Sequence, residues 1–252
     1  MGYDFPTLKT LVKELSEAVV GRRTGRVWRD GENLYMELGD SPLLLSAEPG
    51  FPWAYLAGKI PSGVTPVWEA LWGAICKEVR LPNRDRVLEL EFVRRGPLGD
   101  RVKYRLVAEL MPHGDVILVD EEGRILEALK GVRSRDISPG KHYVPPAPTG
   151  RLDPELASSE ALRTRCLSYP DLRTALSKVL SCADVNTAGA VLHMAGVDPG
   201  MAPSDFEDWE GILEMARALY DGPPKGGGYL LLGEGGEPDD FLGYEPSWVP
   251  GE

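Results

Sequence analysis

Two stretches of this chain carry residues that could recognise an anion. The first is Arg84-Asp85-Arg86, which follows Pro82-Asn83 and opens the apolar run at 87–93. A carboxylate beside a guanidinium can hold it in place as a fork for a phosphate or a base edge. The second is Arg94, Arg95, Arg101, Lys103 and Arg105, which flank Gly96-Pro97-Leu98-Gly99, a hairpin tip by composition. A basic hairpin can follow the phosphates of RNA. Arg133, Arg135 and Lys141 add to the same inventory. Both stretches also have a plainer reading. The first would then be a surface ion pair of little energetic weight, and the second a solvated strand face.

Other chemistries find no residues. His113, His142 and His193 show no metal-ligand spacing and lie near no nucleophile motif. Cys76, Cys166 and Cys182 form no CxxC pair, so they read as buried small hydrophobes in a reducing compartment, the cytoplasm. Gly226-Gly227-Gly228 and the glycines at 233–236 lack the Lys-Ser/Thr and the following helix of a phosphate-binding loop. The expectation is no catalytic residue, no metal and no cofactor.

Charge placement narrows the anion site. The 252-residue chain has a net charge of −11. Residues 1–150 hold 21 Lys+Arg and 21 Asp+Glu; residues 151–252 hold 7 and 18. The second part therefore carries the whole −11 and would repel phosphate. RNA contact requires a local patch in the first part, where 80–105 hold eight basic and four acidic residues. No apolar run is long enough to span a membrane, and the start has no basic and apolar signal segment.

The elements that must position these residues come from periodicity. Leu8, Leu11, Val12, Leu15, Ala18 and Val19 form one stripe of a helix over 7–20, with Thr7 as its cap. A hairpin over 26–38 turns at Asp30-Gly31, and 43–46 is a third strand. Residues 51–60 read as a loop or edge strand. Pro66 and the stripe Val67, Leu71, Trp72, Ile75, Val79 predict a second helix over 66–79. Strands follow at 86–93, 102–108, 116–119 and 125–129, the last three as a meander turning at 112–115 and 120–123. The four prolines of 144–154 mark a stiff linker. Helices are then predicted over 159–168, 171–182, 187–195 and 205–220. Residues 229–232 form a lone strand candidate in a Gly/Pro-rich tail, whose last twenty residues have order only if they dock on the body. The fold class is α+β: a two-layer β-sandwich with flanking helices over 1–148, a small helical domain over 149–222, and an acidic tail over 223–252.

The segment ELMPHGDVILVDEEGRILEALKGVRSRDISPGKHYVPP, at 109–146, resembles the signature of the NFACT N-terminal domain. That family includes the nascent-chain-binding factors of ribosome quality control and the proteins called fibronectin-binding protein A. The short turn with Gly114 near its end is most similar to archaeal members. The resemblance implies a glycosylase-like N-terminal fold followed by a helix-hairpin-helix-like domain. It also implies a role for Asp85 and Arg86, which match an Asp-Arg pair implicated in transfer-RNA handling. Two departures accompany it. Thr7 aligns with a family position usually acidic, and 77–85 is too short for the usual Gly-Gly-Arg strand. Family members continue into a long coiled coil and a second RNA-contacting domain, whereas no sustained heptads occur here.

The resemblance implies a non-catalytic module that engages the large ribosomal subunit and transfer RNA on stalled nascent-chain complexes. A scaffold with the same fold and no RNA binding is the alternative, supported by the acidic second half. A glycosylase-like enzyme is the least supported. Its N-terminal proline amine has no counterpart, because Gly2 and Tyr3 stand in that place and the nitrogen of Pro6 is an amide.

Overall fold

The computed structural model describes residues 3–50, 52–96, 99–132, 135–147, 149–222, 228–233, 236 and 238–246. The chain forms two compact units. One is Leu11–Pro146; the other combines Tyr3–Thr10 with Ala147–Glu252.

Helix α1 spans Phe5–Val19, so its start lies two residues before the expected one. Asp4, not Thr7, caps it: Asp4 Oδ1 accepts from the Thr7 backbone N–H at 2.9 Å. In the first-named unit, β1 (Thr24–Asp30), β2 (Asn33–Leu38), β3 (Leu43–Ser46), β4 (Ala54–Leu56) and β5 (Thr65–Val67) form an antiparallel sheet in the order β4-β3-β2-β1-β5. A second sheet joins β6 (Ile75–Arg80), β7 (Val87–Arg95), β8 (Arg101–Glu109), β9 (Val116–Asp120) and β10 (Ile125–Ala128), in the order β10-β9-β8-β7-β6.

The α+β sandwich follows the expectation, and so does the 102–129 meander. The helix expected over 66–79 does not form. Trp68 (φ 54°) and Gly73 (φ 75°) are left-handed, which no right-handed helix accommodates. The Thr24 N–H donates to Ala74 O, and the Gly73 N–H donates to Thr24 O, tying the segment to β1 instead. Pro66 lies on edge strand β5, where its missing N–H costs no ladder bond. The apolar spacing fitted a helix although it runs through separate elements: Val67 ends β5, Leu71 and Trp72 lie in the turn after it, and only Ile75 and Val79 belong to β6.

Register fixes which residues share a face. Glu89 pairs with Val107, Glu91 with Arg105, Val93 with Lys103 and Arg95 with Arg101. The other face carries Leu88, Leu90, Phe92, Leu106 and Ala108, all wholly buried. Loop residues Val132, Ile137 and Tyr143 cover the far part of the first face, packing on Val87, Val107, Ile117, Val119 and Ile125.

In the second unit, α2 (Ser159–Cys166), α3 (Leu172–Val179), α4 (Val185–Ala195) and α5 (Trp209–Asp221) form the helical body. Asp171 and Asp184 cap α3 and α4. Tyr229–Leu232 is not a lone strand: as β11 it pairs with β12, Pro238–Leu242. All three cysteines are buried and form no disulfide with one another. Among the described residues, no helix is long and apolar enough to cross a membrane.

Candidate nucleic-acid interface

The two basic stretches lie at opposite ends of one strand. Arg84, Asp85 and Arg86 precede β7, while Arg94 and Arg95 end it. Nine residue steps separate Arg86 from Arg95, about 30 Å of extended chain. The sequence reading had them as one patch; the strand holds them apart.

At the first end, Asp85 Oδ1 accepts from the backbone N–H of Arg86 at 2.8 Å. The carboxylate thus fixes the chain entering β7, and no bond between it and the Arg86 guanidinium is present. Arg86 O accepts from the Leu110 N–H at 2.7 Å, anchoring the strand to the signature segment. Arg86 Nε is buried with no hydrogen-bond acceptor among the described residues. A donor in that condition costs stability unless a water or ligand oxygen meets it.

At the other end lies a cleft of about 790 Å³. Arg94, Arg95, Arg101 and Lys103 line it, joined by Arg23 and Lys77; among the described residues Glu91 is its only acidic lining residue. Trp72 forms part of the wall. Arg23 Nη1 donates to Gly73 O at 2.9 Å, and Arg94 Nη1 donates to Glu69 O at 3.0 Å, so carbonyls orient these two guanidiniums without neutralising them. Lys103 is shared with Glu121 at 3.0 Å. Pro97 and Leu98 of the expected tip lie outside the described residues.

Arg105 belongs to neither end. It lies 3.6 Å from Glu89, which also meets Arg80 at 3.0 Å. Glu89 is buried, and both arginines, each partly exposed, serve as its counter-charges. Arg133 lies outside the described residues.

The signature segment is a structural network. Arg135 donates from both terminal nitrogens to Glu109, at 2.6 and 2.8 Å. Tyr143 OH donates to Glu109 Oε1 at 3.0 Å, and burial next to that carboxylate pushes the phenol pKa upward. Asp115, fully buried, accepts from the backbone N–H groups of Val116, Lys130 and Gly131. A Cβ on Gly114 would stand 2.1 Å from Glu109 O. The turn therefore requires glycine there.

The family model for NFACT N-terminal and middle domains matches residues 4–227. The chain belongs to this family. It is 32% identical over 181 residues to the Rqc2 homolog RqcH of Streptococcus suis, covering 64% of this chain and 33% of that protein. The RqcH of Streptococcus pneumoniae strain D39 is 26% identical over 181 residues, with the same coverage. The chain thus spans about a third of the length of these relatives. The N-terminal part of the fibronectin/fibrinogen-binding protein of Streptococcus suis superposes with a TM-score of 0.71 at 25% identity, over 95% of this chain and 89% of that one. The fibrinogen binding protein of Staphylococcus aureus gives 0.77 at 20% identity, over 97% and 91%, and shares the fold.

In this NFACT chain the first described residues belong with the helical unit. The α3–α4 connection, where a helix-hairpin-helix would bind a backbone, is filled by the chain's own first residues. Phe5 N–H donates to Cys182 O at 3.0 Å, and Thr187 Oγ1 donates to Asp4 Oδ2 at 2.8 Å. Asp4 is fully buried, and Tyr244 OH donates to it at 2.5 Å. Burial, then the nearby Asp184 carboxylate, raises the Asp4 pKa to about 6. Asp240, partly buried, is also raised, by burial first.

Sequence reasoning missed Arg23, Lys77 and Trp72. Lys77 was assigned to a helix that does not exist, and Trp72 to the apolar stripe of that helix. Lys77 lies on β6, whereas Trp72 sits in the turn between β5 and β6.

Proposed function

We propose that this chain is a non-catalytic, RNA-binding module of ribosome quality control, acting in the cytoplasm. It engages the large ribosomal subunit and transfer RNA on stalled nascent-chain complexes. Membership of the NFACT family and similarity to RqcH support the quality-control role. The observation that carries RNA binding is the cleft: among the described residues, six cationic side chains and one carboxylate gather at one place in a chain of net charge −11. Such a concentration has a cost in self-repulsion unless an anion relieves it. Arg86, with its buried unmatched Nε, is a second contact.

The acidic helical unit favours a second reading, a protein-interaction scaffold with no RNA affinity. Co-sedimentation with large ribosomal subunits and filter binding of transfer RNA separate the two. The full chain and its Arg86→Ala variant are titrated at two salt concentrations. About four neutralised phosphates give a log–log salt slope near −3 on single-stranded regions. Arg86→Ala is expected to weaken transfer-RNA or subunit association. Absence of any RNA or subunit association in the unmodified chain establishes the scaffold instead.

A further inference from the structure

The cleft at the Arg95 end has features that a general phosphate-attracting patch does not need. Arg95 and Arg101 lie directly opposite one another on β7 and β8. Like charges in that position destabilise a sheet. Among the described residues, neither they nor Lys77 have a carboxylate within ion-pair distance; of the lining cations, Lys103 alone has one, Glu121. Beside these cations stands an indole. Trp72 Nε1 donates to Val67 O at 3.1 Å, which fixes the ring plane. The Arg26 guanidinium lies over the Trp72 ring, 6.0 Å from its centre, and 5.8 Å from that of Trp28, so it covers one face of the indole and a base can stack only on the other.

We propose that this cleft takes a single-stranded stretch of RNA, with phosphates against Lys77, Arg95 and Arg101 and one unpaired base stacked on Trp72. The inference rests on the RNA-binding reading above and specifies its ligand. A preset aromatic plane among unneutralised cations matches a polynucleotide, which alternates charge and π-face. An A-form duplex keeps its bases inside the stack and offers Trp72 nothing. An acidic peptide would satisfy the cations and leave the indole without a role.

The test uses the full chain and fluorescence anisotropy. The probes are a short unstructured RNA strand, a duplex of the same length, and polyglutamate as competitor. The single strand is expected to bind ~10-fold tighter than the duplex at equal salt, and Trp72→Ala to lose ~10-fold on the single strand alone. Trp72→Phe keeps a stacking face and is expected to lose less than ~3-fold. The double variant Arg95→Ala/Arg101→Ala changes only exposed side chains and is expected to flatten the salt slope by about 1.4, or 0.7 per phosphate. If Trp72→Ala does not fold by circular dichroism, the Phe variant and the arginine pair decide. Equal affinity for duplex, an unchanged Trp72→Ala, or displacement by polyglutamate at equal charge overturns the proposal. Transfer-RNA association that responds to Arg86→Ala but not to Trp72→Ala sinks the cleft alone. Loss of all RNA binding in the unmodified chain sinks both readings.

Discussion

Glu109 has no exposed side-chain surface, and Arg135 closes on it with two hydrogen bonds, from Nη1 to Oε2 at 2.6 Å and from Nη2 to Oε1 at 2.8 Å. Twenty-six residues separate the two, so the fork ties β8 to the loop that covers the outer face of its sheet. Arg135 Nη2 also donates to Val144 O at 2.9 Å, fastening the end of the signature segment. Removing one member of such a pair strands a buried charge. Arg135→Ala is therefore expected to lower stability by about 3–5 kcal/mol. Urea denaturation checks this, and a loss under ~1 kcal/mol would show that Glu109 finds another partner. Glu109→Gln leaves no stranded carboxylate and should cost less.

Asp85 acts on the backbone. Because its carboxylate meets the Arg86 N–H, Asp85→Ala is expected to loosen the entry to β7 and cost about 1 kcal/mol of stability. Asp85→Asn keeps an acceptor and should restore most of it. Arg86→Ala is expected to behave in the opposite way, weakening RNA association while leaving the urea midpoint near its original value. Equal effects of both substitutions on RNA at unchanged stability would mean that the pair acts on RNA together.

Asp4 makes stability depend on pH. Its folded pKa of about 6 lies above the ordinary value of 3.8, because burial penalises the charged form and Asp184 repels it. Bonds from Thr7 and Tyr244 oppose the shift without cancelling it. The folded state therefore binds the extra proton between those two values. Its contribution to stability is full below about pH 4 and is lost as pH rises through about 6. The loss amounts to about 3 kcal/mol. Asp4→Asn removes the titration, so the stability difference between pH 4 and pH 6.5 should shrink by about that amount. Urea midpoints across this range measure it. An Asn variant with the same pH profile as the parent places the titration elsewhere.

Local patterning made most of the fold legible. The meander of β8, β9 and β10 follows from alternation and turn composition, and four helices of the second unit follow from their apolar spacing. What the sequence concealed is non-local. The 66–79 stripe satisfied helical spacing by chance, joining the end of β5, the turn after it and β6. Trp68 and Gly73 reveal the break only through their backbone angles. The site was half legible for the same reason. Charge counting found Arg94, Arg95, Arg101 and Lys103, whereas Arg23 and Lys77 reach the cleft through sheet pairing that no spacing encodes. Arg105 looked like the rest of its strand face, yet register places it across from Glu91, beside buried Glu89. The docking of Gly243 and Tyr244 on the first turns of α1, more than two hundred residues away, left no local trace.

That docking supplies the last prediction. The Gly243 N–H donates to Thr7 Oγ1 at 3.0 Å, and Thr10 Oγ1 donates to Gly243 O at 2.8 Å. A Cβ on Gly243 would stand 2.8 Å from Thr10 Cβ and 2.9 Å from Thr7 Cα. The Thr7 atom is backbone of a helix and cannot step aside, so Gly243→Ala must push the strand off α1. Both hydrogen bonds stretch, and Tyr244, 1% exposed, loses its place on Asp4. The expected cost is about 1–3 kcal/mol, with faster proteolysis after Asp221. Water reaching Asp4 should also return its pKa toward the ordinary carboxylate range, because burial is the largest cause of the shift. Gly243→Ala is therefore expected to flatten the stability profile between pH 4 and pH 6.5, as Asp4→Asn does, although it removes no titratable group. Unchanged proteolysis together with an unchanged pH profile would mean that the C-terminal strand does not cover Asp4.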